Sequence, residues 1–80
     1  MAVLRLFAAA REAAGTGRVE LAGPTVAGVL AEARTRFGDD FARVLAGSRV
    51  WVNGQPASDD SPLTATDEVA VLPPVSGGAG

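Results

Sequence analysis

Apolar residues at Val26, Val29, Leu30, Ala33 and Phe37 recur at the spacing of one helix face, and on both sides of them the period drops to two. That switch constrains the fold more than any other feature of the chain. Period two puts alternate side chains on opposite faces of a sheet, and period 3.6 puts one stripe along a helix. The sequence therefore calls for strands before the helix, strands after it, and one core between the layers.

The helix is bounded by local chemistry. Gly23-Pro24 breaks the chain ahead of it, and Thr25 is placed to act as its N-cap. Arg34 and Arg36 lie near its C-terminal end, where the helix dipole favours cations, and Gly38 ends it. Phe41, Val44 and Leu45 suggest a short further turn before Gly47.

Residues 3–8 read as the first strand, with Leu4, Leu6 and Ala8 on one face and Val3, Arg5 and Phe7 on the other. An arginine belongs in water, so the Arg5 face is the open one and Phe7 a semi-exposed aromatic. Residues 9–14 are alanine-rich helix material stopped by Gly15-Thr16-Gly17, and residues 18–21 alternate as a second strand. Residues 49–52 form a third strand, with Val50 and Val52 opposite Trp51. Asn53-Gly54 then predicts a tight hairpin turn and no more than a turn. Pro56 restricts the returning strand to an edge or a very short pairing. Residues 64–68 read as a turn and 69–72 as the last strand, with Val69 and Val71 opposite Ala70 and Leu72. The expected class is α+β, a mixed sheet of four to five strands with one main helix packed across it. The expected domain is residues 1–72, followed by a flexible tail at 73–80.

Composition matters most for the chemistry it removes. The chain has 80 residues, enough for one modest core, and contains no Cys, His, Tyr or Lys. The cysteine and lysine nucleophiles and the commonest general base are missing. So are the best transition-metal ligands. Asp59-Asp60 and Asp67-Glu68 are sequence neighbours that do not converge on one site, so no metal is expected. Seven arginines are scattered through a chain of net charge −2, which argues against nucleic acid as a partner. No apolar run reaches the roughly 20 residues of a membrane span, and no secretory signal is read at the N-terminus. The expected location is the cytoplasm.

After Leu72 the character changes. Pro73-Pro74 stiffens the exit from the last strand, and Val75-Ser76-Gly77-Gly78-Ala79-Gly80 offers almost nothing to bury. The segments LFAAAREAAG at 6–15, VNG at 52–54 and PLTATDEVAVLPPVSGG at 62–78 resemble the MoaD/ThiS family of sulfur carriers. The nearest counterpart is the small, sulfur-carrying subunit of molybdopterin synthase. The resemblance covers nearly the whole chain, and its most specific part is the DEVA…PPVSGG ending.

The resemblance implies a β-grasp (ubiquitin-like) fold, in agreement with the element order. It also implies that the terminal glycine carboxylate is adenylated by an ATP-dependent activating enzyme and converted to a thiocarboxylate. The sulfur then passes to a pterin precursor held by the large subunit of molybdopterin synthase. The chain would bind no cofactor itself, ATP being used by the activating enzyme, and would not be catalytic alone. By the motif the reactive glycine is Gly78, next to Gly77. Here Ala79-Gly80 follow. Either a tail-trimming protease exposes Gly78, or Gly80 itself is activated.

The family docks its partners through an apolar patch on the open sheet face. That carries over to Phe7, Trp51 and Leu72, with Pro56 at a family contact position and Pro73, Pro74 and Val75 leading into the tail. Phe7 and Trp51 as partly buried core is the competing reading. Other functions stay open: a carrier for thiamin thiazole or another sulfur-containing metabolite, a ubiquitin-like protein modifier, and a β-grasp binding module without tail chemistry.

Overall fold

In the computed structural model, which describes residues 1–74, the first and last strands lie side by side at the centre of one sheet. These are β1 (Ala2–Leu6) and β5 (Glu68–Leu72), and they run parallel, with Leu4 opposite Val69 and Leu6 opposite Val71. Antiparallel β2 (Arg18–Leu21) flanks β1, and antiparallel β3 (Arg49–Val52) flanks β5. The two-residue strand β4 (Gln55–Pro56) forms the far edge, giving the order β2-β1-β5-β3-β4. Proline sits there because an edge strand leaves one row of amides without partners. This is the mixed sheet that the alternating segments predict, with five strands.

Three helices cover one face: α1 (Ala8–Ala14), α2 (Val26–Phe37) and α3 (Asp39–Ala46). The stripe Val26, Val29, Leu30 and Ala33 of α2 is buried, against Leu4, Leu6, Leu21, Val69 and Val71 of the sheet. No polar or charged residue is buried among the described residues. Thr25 caps α2 as expected, its Oγ1 accepting from the Gly28 amide at 3.2 Å. The two preceding amides are met by a distant loop. Val26 donates to the Ser61 carbonyl at 3.0 Å and Ala27 to the Asp59 carbonyl at 2.7 Å. The Val26, Ala27 and Gly28 amides, three of the four orphan donors of a helix start, are therefore satisfied inside the protein.

Several boundaries differ from expectation. Strand β1 stops at Leu6, and Ala8 opens α1 where it was expected to continue the buried strand face. Ala8 takes φ +50°, so the chain turns out of the sheet through a left-handed residue, a conformation that costs an L-residue about 1–2 kcal/mol. The short turn expected near Phe41 is a full eight-residue helix. Gly38, at φ +91°, ends α2 and starts α3, so a hydrophobic run too short to declare itself continues as a second helix. Phe41 is fully buried, its ring tilted 60° to that of Phe37 with centroids 5.2 Å apart.

The hairpin turn does more than reverse the chain. Asn53 (φ 51°) and Gly54 (φ 84°) supply the two positive angles of a tight hairpin. The Asn53 amide side chain also donates to Asp67 Oδ1 at 3.0 Å, and its Oδ1 accepts from the Glu68 amide at 2.9 Å. Asp67 Oδ2 accepts from the Thr64 amide at 2.8 Å. The hairpin is thus tied to the start of β5, and Glu68, expected to end the turn at 64–68, is the first strand residue. The Thr64 amide, and after it the Asn53 side chain, hold the Asp67 carboxyl below the usual carboxylate range.

Two outcomes follow from this packing. A Cβ on Gly23 would lie 2.7 Å from the Val29 amide nitrogen, a helix backbone atom that cannot swing aside. Gly23→Ala should lower stability by about 1–3 kcal/mol in a denaturant titration. For Asp67, the carboxyl ionises more readily folded than unfolded, where its value is near 3.8. Its contribution is therefore complete above that value and is lost as pH falls through the lower folded one. In pH-dependent unfolding, the stability gap between wild type and Asp67→Asn should be constant above about pH 5 and shrink in stronger acid. A gap independent of pH throughout would contradict the assignment.

Candidate functional site

The strand registers decide which side chains share the uncovered face of the sheet. Trp51 stands opposite Ala70 on one side and Pro56 on the other. Ala70 is opposite Arg5, and Arg5 is opposite Arg18. Toward the end of β5, Leu72 stands opposite Arg49. Phe7 directly follows Leu6, whose partner is Val71, so Phe7 comes level with Leu72. The backbone of Phe7 is extended, which keeps the alternation and sends its ring to the Arg5 side.

Phe7, Trp51, Pro56 and Leu72, predicted separately from alternation and resemblance, thus share one face, Phe7 and Leu72 at the end where β5 gives way to Pro73 and Trp51 and Pro56 level with Ala70 in mid-strand. Leu72, Pro73 and Trp51 are half-buried, Pro56 and Pro74 exposed, and Phe7 is 40% exposed. The remaining expected site residues, Val75, Gly77, Gly78 and Gly80, lie outside the described residues.

Phe7 is costly where it is. It occupies the N-cap of α1 and makes no side-chain cap hydrogen bond. Ser, Asp or Asn there would gain about 1 kcal/mol of capping. A large aromatic that is exposed, contributes no cap and precedes a left-handed alanine breaks local rules in three ways, which is typical of positions held for function. The guanidinium carbon of Arg5 lies 6.0 Å from the Phe7 ring centroid. Arg5 also reaches Glu68 Oε2 at 3.5 Å, a solvent-exposed pair of little energetic weight.

Alternation alone did not single out Ala70 and Val3, which complete the apolar part of the face. Ala70 lies between Trp51 and Arg5, and Val3 is opposite Glu68 and Glu20. Both are small, and their relevance depends on long-range register that a sequence does not display. The signal available was the position of Ala70 two residues before Leu72 on the same strand face. No cluster of three or more Asp, Glu, His or Cys side chains suited to a metal ion exists among the described residues, and no pocket opens among them. No helix among them is long and apolar enough to cross a membrane. The face offers an apolar and cationic surface beside a chain exit.

If Phe7 belongs to this surface, Phe7→Asp should stay within about 1 kcal/mol of wild type in equilibrium unfolding. Leu6→Asp, which buries a lone carboxylate, should prevent folding. Unfolding by Phe7→Asp would assign Phe7 to the core.

Residues 4–78 match the ThiS family. The structure is similar to that of small archaeal modifier protein 1 from Methanosarcina acetivorans, with TM-score 0.86 and 28% identity over 96% of this chain and 95% of that one. The same modifier from Haloferax volcanii gives TM-score 0.80 and 32% identity over 96% and 98%. A putative molybdopterin converting factor subunit 1 from Pyrococcus furiosus gives TM-score 0.77 and 28% identity over 92% and 97%. No curated protein matches by sequence.

Proposed function

The chain belongs to the ThiS family of ubiquitin-like sulfur carriers, and from that we propose that it carries sulfur as a thiocarboxylate on Gly78 for molybdopterin biosynthesis. The observation that carries this reading is the apolar open face at the end of β5, immediately before Pro73-Pro74 and the Gly77-Gly78 pair. The likeness to a putative molybdopterin converting factor subunit supports the pathway.

The chemistry suits the residues. A terminal carboxylate has a pKa of about 3.3–3.7, so at neutral pH it is an anion and a poor electrophile. An ATP-dependent adenylating enzyme joins it to AMP and releases pyrophosphate. A sulfur nucleophile displaces AMP, leaving sulfur where oxygen was. The six residues from Pro73 to Gly78 span at most about 20 Å when extended, so the carboxyl can work that far from the docking face. Glycines at the reacting end let partner atoms approach closely. Ordering the tail costs about 1–2 kcal/mol per residue, which the apolar face offsets by docking on the adenylating enzyme and then on the large synthase subunit. The carrier's own side chains take no part in bond making.

A second reading is favoured by the likeness to small archaeal modifier protein 1. In it the same activated glycine is joined to amino groups of other proteins. This chain has no lysine to receive such a bond itself.

The test is intact-mass measurement after incubation with the cognate adenylating enzyme, ATP and a sulfur donor. The expected product ends at Gly78 and carries one oxygen-to-sulfur exchange. Exchange on the full chain would move the site to Gly80. No exchange, including on a chain prepared to end at Gly78, would overturn the carrier reading. Amide-linked adducts without exchange would favour the modifier.

A further inference from the structure

The open face carries five charged side chains in its strands, and four of them pair with one another. Arg5 reaches Glu68 at 3.5 Å, and Arg18 reaches Glu20 at 3.6 Å. Arg49 has no carboxylate within 4.0 Å among the described residues. It is exposed, it is the first residue of β3, and it stands opposite Leu72, the last residue before Pro73-Pro74. Its backbone is fixed by pairing to the strand that leads toward Pro73, while its guanidinium has no ion-pair partner among the described residues.

We propose that Arg49 anchors the partner: its guanidinium meets a carboxylate on the rim of the cleft that receives the tail. This rests on the docking-face reading above and adds a charge requirement to it. A protein that covers Leu72 and Trp51 also covers Arg49. An uncompensated guanidinium is expensive to remove from water, so a tight complex requires an anionic acceptor there. Phosphate or nucleic acid is a poor candidate in a chain of net charge −2 whose other face charges are already paired. A protein carboxylate suits both the single charge and the planar, two-pronged geometry of arginine. Arginine is also among the residues enriched at energetic hot spots. The same pairing would orient the docked sheet, because it lies beside the chain exit and not at the patch's far edge.

The experiment measures binding to the cognate adenylating enzyme at low and high salt for wild type, Arg49→Ala, Arg49→Lys, Arg49→Glu and Leu72→Asp. Thermal unfolding of each variant checks the fold. Arg49→Ala should weaken binding about tenfold or more and Arg49→Glu further still. Arg49→Lys should recover only part of the loss, since an ammonium cannot make the paired contact. The salt dependence should flatten in Arg49→Ala. If the Arg49 variants bind within twofold of wild type while Leu72→Asp is weakened, the anchor is refuted and the docking face stands. If Leu72→Asp also binds normally, or wild type does not bind at all, the docking-face reading fails and the anchor with it.

Discussion

The parallel pairing of β1 with β5 is the constraint on which the rest of the molecule depends. It brings the chain's last strand into the middle of the sheet, between β1 and β3, where β5 is hydrogen-bonded on both sides. Leu4, Leu6, Val69 and Val71 are at most 2% exposed at this seam, beneath the apolar stripe of α2. A slip of one residue would carry Val69 and Val71 to the open face and Ala70 and Leu72 inward, so the register is strongly fixed. The same register sets the level at which Leu72, Phe7 and Arg49 stand, and hence what surrounds the exit toward Pro73. Core packing and the composition of the candidate site are two faces of one strand pair.

Much of this was legible in the sequence because it is written in local periods and caps. The boundaries of α2 and its Thr25 cap, the strands β2 and β3, and the Asn53-Gly54 hairpin all follow from short-range chemistry. Alternation also placed Phe7, Trp51 and Leu72 on the face opposite the core. The failures share a cause. Ala8 has good helix propensity and fits a strand face equally well, and its left-handed turn arises from the need to fold α1 back over the sheet. The second helix after Gly38 depends on burying Phe41 and Leu45 against neighbours that α3 meets only in three dimensions. The Asn53–Asp67 link joins residues fourteen apart, and the Gly23–Val29 contact is a matter of space. Pairing partners, and with them the roles of Ala70 and Arg49, come from long-range register that no local pattern encodes.

The chemistry of the chain is defined largely by subtraction. Without Cys, His, Lys or Tyr, it has few side chains able to attack, hold a soft metal or shuttle a proton near neutral pH. What it has is a Gly77-Gly78 pair beyond the last strand, a surface that departs from local folding rules at Phe7, and a sheet face whose charges are paired except at Arg49 among the described residues. These features fit a protein that presents itself to other proteins' active sites. The helix start of α2, the kind of terminus that attracts anions when its amides are free, is closed by Thr25, Ser61 and Asp59.

The most direct test of this account is to follow side-chain resonances of the isotopically labelled chain while unlabelled adenylating enzyme is added with ATP. Trp51 is the sole tryptophan, and its indole N–H reports on the open face alone. The account predicts that the Trp51 indole and the Leu72 methyls shift or broaden together, while the Val29 and Leu30 methyls under α2 change little. Large changes on exposed positions of α2 with an unperturbed Trp51 indole would contradict it, because the docking surface would then lie on the opposite side of the molecule.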